Sequence, residues 1–263
     1  MDYCGIFDTH AHYDDERFDE DRDAVLSSLA EHGVSLVVDP ACDLASCEKT
    51  LALSMRYDFL YSAVGVHPHS AESDGTGNWL DKVETFTRHP KAVAIGEIGL
   101  DYHYDFSPRE SQIRVFSEQL ALANDLSLPV IIHDREAHAD TLELVQKYRP
   151  KGIIHCYSGS AEMAKEFLKL GMYIGFTGSV TFKNANKLLL AAKEIPEDRL
   201  LLETDCPYMA PVPYRGQRCD STLIPATAER LAELRGTDAQ TLIDRARENG
   251  CRVYGIELER GKP

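Results

Sequence analysis

The chain has 263 residues, 43% hydrophobic and 27% charged, a globular balance with no collagenous, repeat or disordered bias. Lys and Arg total 28 against 43 Asp and Glu, and the formal net charge of -15 repels nucleic acid at long range, so a polyanionic substrate would need basic residues clustered locally. Seven scattered cysteines without a Cys-x-x-Cys argue against a disulfide framework or a zinc knuckle, and most are expected to be reduced core thiols.

The opening residues, Met1-Asp2-Tyr3-Cys4-Gly5, show no basic region followed by a long apolar run, and no later stretch reaches the length of a membrane span. A cytoplasmic chain with no membrane partner is the expectation. Apolar runs in chain order predict strands over Gly5–His10, Ser35–Asp39, Leu60–Val66, Val93–Ile98, Pro129–His133, Gly152–His155, Met172–Phe176 and Leu200–Glu203. Helical periodicity falls between them in Asp21–His32, Asn78–Arg88, Pro108–Leu126, Ala137–Tyr148, Ala161–Leu170 and Asn184–Glu194, with two further helices after Ile224 and Asp238. Pro108 and Gly171 supply a start and a stop signal. Alternation without a linker or charge run predicts an α/β fold, a single (β/α)8 TIM barrel domain over residues 1–263. An open doubly wound sheet would carry a Gly-rich phosphate turn after its first strand, where this chain has Asp8-Thr9-His10-Ala11-His12.

In such a barrel, functional groups project from the C-terminal strand ends. Those ends carry His10 and His12, His67, Glu97, His133 with Asp134, His155, and Glu203 with Asp205. His10 and His12 are two apart, so in an extended segment both rings reach the same side. A lone buried histidine is commonly a core residue bonded to backbone, but so many imidazoles and carboxylates on one rim would leave unpaired groups in a desolvated cavity unless cations compensated them. A metal pair is the economical solution, and mixed His and carboxylate ligation suits zinc, manganese or a similar divalent ion.

The motifs Asp8-Thr9-His10-Ala11-His12, Gly65-Val66-His67-Pro68-His69, Gly96-Glu97-Ile98-Gly99-Leu100-Asp101-Tyr102, His155-Cys156-Tyr157-Ser158-Gly159, Thr181-Phe182-Lys183-Asn184-Ala185 and Glu203-Thr204-Asp205-Cys206-Pro207-Tyr208 resemble those of the TatD family, essentially end to end. The resemblance implies a metal-dependent deoxyribonuclease on a (β/α)8 barrel of the amidohydrolase type. It implies two divalent metal ions, zinc, manganese, magnesium or similar, one held by His10, His12, Glu97 and Asp205, the other by the same Glu97 with His133 and His155. Two cations sharing a carboxylate can lower the pKa of a bound water, whose hydroxide attacks, and can offset charge building on a phosphodiester. Asp205 could accept a proton from that water, while Glu203 would orient neighbouring groups.

His67 is a candidate for contacting a non-bridging phosphate oxygen, against the blander role of bracing Pro68. His69 and His103 lie farther into their loops, where they could simply face solvent. Arg109, Arg135, Lys183, Arg215 and Arg218 follow strand ends and could track a phosphate backbone, and Arg215 and Arg218 flank a glycine turn suited to gripping phosphate. Tyr102, Tyr157, Phe182 and Tyr208 could stack a frayed base or simply pack. The family's usual Arg-Gly-Lys-Arg-Asn reads Arg215-Gly216-Gln217-Arg218-Cys219 here, with one cation and one amide fewer, which favours a single-stranded DNA end over intact duplex. The expected protein is therefore a monomeric metal-dependent hydrolase of ester bonds, a nuclease acting on single-stranded DNA; the alternative is that loops have turned the same ligand set to a small amide, lactone or phosphate ester. A non-catalytic nucleic-acid or metal-binding protein is disfavoured because every ligand position is filled.

Overall fold

Short apolar runs form eight parallel strands within residues 3–257, which the computed structural model of the protein describes. They are β1 (Ile6–Asp8), β2 (Val34–Pro40), β3 (Leu60–Val64), β4 (Ala92–Asp101), β5 (Val130–Arg135), β6 (Gly152–Ile154), β7 (Tyr173–Phe176) and β8 (Leu200–Leu202). Each strand pairs with the next in sequence, in the order β1 to β8. The barrel nearly closes where the Thr9 amide donates to the Leu202 carbonyl at 3.2 Å and Ala11 forms a parallel bridge with Cys206.

Around the strands run α1 (Arg22–Ser28), α2 (Leu44–Ser54), α3 (Trp79–Thr87), α4 (Arg109–Leu126), α5 (His138–Tyr148), α6 (Ala161–Lys169), α7 (Asn186–Glu194), α8 (Ile224–Arg235) and α9 (Ala239–Tyr254). The strands read as continuous apolar runs because both faces are covered. One face supplies Phe7, Val38, Ala63, Ala94, Ile131, Ile153, Tyr173 and Leu201, one residue per strand, to a cluster joined by Cys251, Tyr254 and Ile256. The other face, including Ile6, Val37, Ile95, Ile132, Ile154, Ile174 and Leu202, packs with Leu26, Phe116, Leu120 and Phe167 of the helices.

The largest differences from the sequence expectation lie in α2 and β4. Helix α2 is not among the clear helical periodicities, because its buried face holds Ser46, Cys47, Thr50 and Ser54 beside its leucines and the apolar stripe is faint. Its start is nevertheless specified by a capping box, with Asp43 accepting from the Ser46 amide and Ser46 Oγ accepting from the Asp43 amide. Strand β4 continues past Ile98 to Asp101, and its pairing with β5 shifts register between Ile95 and Ile98, a local irregularity that re-aims Glu97. All seven cysteines are free, and Cys47, Cys206, Cys219 and Cys251 are buried, while Cys4 is exposed. No helix among the described residues is long and apolar enough to cross a membrane.

Candidate metal centre

His10 and His12 leave the end of β1 with their Nε2 atoms 3.1 Å apart. Glu97 Oε2, from β4, lies 3.3 Å from the first and 3.5 Å from the second, while Asp205 Oδ1, beyond β8, lies 3.8 and 3.6 Å from them. Ligand bonds of about 2.0–2.1 Å to a tetrahedral divalent ion give ligand-to-ligand edges of roughly 3.3–3.4 Å. The observed separations bracket that edge. Glu97 Oε1 turns the other way, 2.9 Å from His133 Nδ1, 3.6 Å from His155 Nε2 and 3.7 Å from His67 Nε2. One buried carboxylate thus offers an oxygen to each of two groups of imidazoles.

The outward nitrogens decide which lone pairs face inward. His12 Nδ1 sits 3.0 Å from the Pro40 carbonyl, which can only accept, so Nδ1 carries the proton and Nε2 presents a lone pair. His133 Nε2 likewise donates to Asp101 Oδ2 at 3.1 Å, freeing Nδ1 towards Glu97. His155 Nδ1 lies 3.1 Å from Glu203 Oε1, close but poorly aligned for a hydrogen bond, which leaves Nε2 facing in. His10 Nδ1 is buried without a hydrogen-bond partner among the described residues. His67 is the opposite case: its Nδ1 accepts the His69 amide at 3.2 Å, so Nε2 is the N–H. Burial pulls the His67 imidazole well below its usual pKa, despite the nearby Glu97 carboxylate, and it is neutral. It is a hydrogen-bond donor aimed into the mouth.

Charge balance points the same way. Burial disfavours a proton on His133, but Asp101 and Glu97 outweigh it and push the imidazole up to about 9. Burial similarly opposes charge on His155, which Glu203 and Glu97 raise. Glu97 is itself buried, yet the imidazoles around it, His10 and His155 foremost, hold its carboxyl well below the usual range. Without cations the carboxylates draw protons onto the imidazoles; divalent ions would replace those protons. The donor set, its spacing and its tautomers therefore fit metal.

Two positioning carboxylates were not identified as site residues from the sequence. Asp8, fully buried, accepts from the Thr204 amide at 3.0 Å, Thr204 Oγ1 at 2.6 Å, Ser221 Oγ at 2.7 Å and the His10 amide at 3.3 Å, tying the ends of β1 and β8 together. Burial pushes its carboxyl up to about 7 in spite of those bonds. Asp101 joins His133 to His69, whose Nε2 lies 2.9 Å from the same Oδ2. A signal for it existed, since Glu97 and Asp101 are four apart and an extended strand puts i and i+4 on one face. Asp205 adopts a left-handed φ of 59°, which short polar residues tolerate best and which occurs disproportionately at functional sites. Glu203 is fully enclosed against Gly175, where a Cβ would collide with its carboxylate.

Residues 7–255 match the family described as TatD related DNase. The chain belongs to this family. It is 41% identical over 254 residues to the Bacillus subtilis uncharacterized metal-dependent hydrolase YabD, covering 95% of this chain and 99% of that protein. It is 34% identical over 260 residues to the 3'-5' ssDNA/RNA exonuclease TatD of Erwinia tasmaniensis, covering 95% and 100%. The crystal structure of YjjV, a TatD homologue from Escherichia coli, superposes with a TM-score of 0.90 at 32% identity, covering 97% and 99% of the two chains. The protein is a TatD-family metal-dependent hydrolase.

The rim of this TatD barrel is less basic than the sequence pattern suggested. Arg218 does not extend to the mouth as a free phosphate grip: its guanidinium spans Asp21 at 2.7 and 2.6 Å and also donates to the Arg17 carbonyl. A carboxylate 197 residues away thus occupies the fork. Arg109 is paired with Asp105 at 2.9 Å. Arg215 is exposed, its Cζ 3.8 Å above the Phe182 ring, and Lys183 is exposed in the same loop region. Tyr157 is buried and packs, Tyr102 donates to Asp140 at 2.6 Å, and Tyr208 lies beneath Arg17. His103 is exposed and paired with Glu136.

Proposed function

We propose that the chain cleaves phosphodiester bonds of DNA, acting from single-stranded ends. The observation that carries the reading is the divided Glu97 carboxylate, one oxygen against His10 and His12 and the other against His133 and His155. On this reading His10, His12, Glu97 and Asp205 hold one divalent ion, and Glu97, His133 and His155 hold a second. When bound, such ions supply an acidified water and neutralise charge developing on the phosphate. Asp205, whose carboxyl the neighbouring His12, His155 and His10 keep ionised against burial, is placed to take a proton from the attacking water. Glu203 fixes His155 and the Cys156 amide and so acts by positioning.

His67 Nε2–H donates to a non-bridging phosphate oxygen, which gains negative character as the bond breaks. Lys183 and Arg215 contact the backbone, and Arg218 shapes the loop through Asp21. The shortage of free cations at the rim favours a frayed or single strand over duplex, because few phosphates can be gripped at once. The protein acts as a cytoplasmic monomer. The name of the Erwinia relative, which includes both single-stranded DNA and RNA, supports this substrate class. The test is digestion of end-labelled single-stranded DNA with zinc, manganese or magnesium restored after chelation; no product beyond the chelated control would overturn the proposal. The net charge of -15 and the Arg218–Asp21 pair favour one rival, hydrolysis of a small ester, amide or lactone, which a substrate panel on the same metal-loaded protein would separate.

A further inference from the structure

An exposed aromatic pair at the barrel mouth has no part in the chemistry above. Tyr104 and Phe106 lie in the loop between β4 and α4, with Tyr104 47% and Phe106 68% exposed. Their rings are nearly parallel, at 5.2 Å between centroids and 18° between planes, so Phe106 rests one face on Tyr104. At 68% exposure, most of the ring surface not turned to Tyr104 or His69 is open to solvent. The His69 ring stands edge-on to both, 4.8 Å from Phe106 and 5.5 Å from Tyr104.

His69 is bonded to Asp101, the carboxylate that also orients His133, and the His69 and His133 rings are 6.2 Å apart. The pair is therefore braced by the residues that brace the candidate metal centre. Arg135, at the end of β5, places its Cζ 4.6 Å from the Tyr104 ring and forms no ion pair among the described residues. Nearby, Arg109 pairs with Asp105, and the His103 ring is bonded to Glu136.

We propose that the open face of Phe106 receives one unpaired nucleobase of the substrate strand, with Arg135 meeting an adjacent phosphate. This rests on, and deepens, the reading of the site as a DNA phosphodiesterase. A planar base stacks on an aromatic ring whatever its sequence, and each such contact is commonly worth a measurable share of single-strand affinity. A base inside a duplex has both faces covered by its neighbours, so the platform selects strands that are single or frayed. Without Phe106 the surviving contacts are backbone charges, which are scarce here.

The test compares binding of two fluorescent, cleavage-resistant phosphorothioate strands to the metal-loaded protein: an oligothymidylate, and the same backbone made of abasic residues. The wild type should bind the first about 5- to 150-fold more tightly, the span expected of one base–aromatic stack. Phe106→Ala should remove most of that difference, Phe106→Leu should remove it despite retaining apolar area, and Phe106→Trp should restore it. Phe106 is exposed, so its substitution leaves the core intact, and unchanged thermal melting of the variants checks this. Equal binding of both strands by the wild type, binding of neither, or a Phe106→Ala protein that discriminates as the wild type does would overturn the proposal. Digestion of ordinary single strands, run in parallel, reads the phosphodiesterase assignment separately. Digestion without base discrimination sinks the platform alone, and base-dependent binding without digestion sinks the hydrolytic reading alone.

Discussion

Asp101→Asn is the substitution that most directly probes how the second group of imidazoles is held. Oδ1 accepts the backbone amides of His103 and Tyr104 at 3.0 and 2.9 Å, and Oδ2 accepts His69 Nε2 and His133 Nε2 at 2.9 and 3.1 Å. Burial opposes ionisation of Asp101, but the bonds from His133, the Tyr104 amide and His69 hold its carboxyl below the usual range. An amide keeps one oxygen and adds two N–H donors. With that oxygen on the backbone pair, the NH2 group confronts two ring N–H donors. As a neutral ring, His133 can relieve the conflict by keeping its proton on Nδ1, but that occupies the lone pair a metal would need on the side of Glu97 Oε1, 2.9 Å away. Loss of such an outer partner typically costs 10- to 100-fold in metal affinity, about 1.4–2.7 kcal/mol. Replacing charge-assisted bonds in a buried site should also lower stability by about 1–3 kcal/mol. Calorimetric titration of chelated protein with zinc or manganese should show one binding event weakened by that factor, while the event assigned to His10 and His12 barely moves. A variant that binds metal as the wild type does at the same pH, or that weakens every binding event equally, would refute the tautomer argument.

Glu97→Gln removes the carboxylate shared by both groups, so metal content by elemental analysis should fall for both ions and hydrolysis should drop to the chelated background. His67→Ala should lower kcat/KM about 100- to 1000-fold with metal content unchanged, in keeping with loss of one donor to the reacting phosphate; loss of metal would instead make His67 a ligand. Arg215→Ala should flatten the salt dependence of strand binding by roughly one charge, whereas Arg218→Ala should leave that slope alone, since Asp21 already occupies its guanidinium. For the chelated protein, His133 is raised from 6.5 to about 9, so its contribution to stability is complete below 6.5 and is lost as pH rises towards 9. Thermal melting should therefore fall across that window without metal and less so with it; a melting temperature that rises over the same range would contradict the assignment.

The legible and illegible parts of the site divide by the range of the contacts that define them. His10 with His12, and Glu203 with Asp205, are spaced by two within or beside apolar strands, so local periodicity alone sends them to one rim. The eight strands were readable for the same reason, each being a short apolar run between helical patterns. Helix α2 was not, because small polar side chains make up much of its buried face. The roles of individual groups depend on partners that periodicity cannot supply. His67 is a donor only because the neighbouring turn brings the His69 amide onto its Nδ1. His12 faces the centre with its lone pair because Pro40, 28 residues away on β2, offers a carbonyl. Arg218 is withdrawn by Asp21, and Asp8 becomes a brace through Thr204 and Ser221, 196 and 213 residues distant. Closing the barrel creates all of these contacts at once. The candidate ligands are thus written strand by strand, whereas protonation and orientation are properties of the closed ring. Mutating an outer partner such as Asp101 should accordingly change which proton sits where before it changes which residues surround the metal.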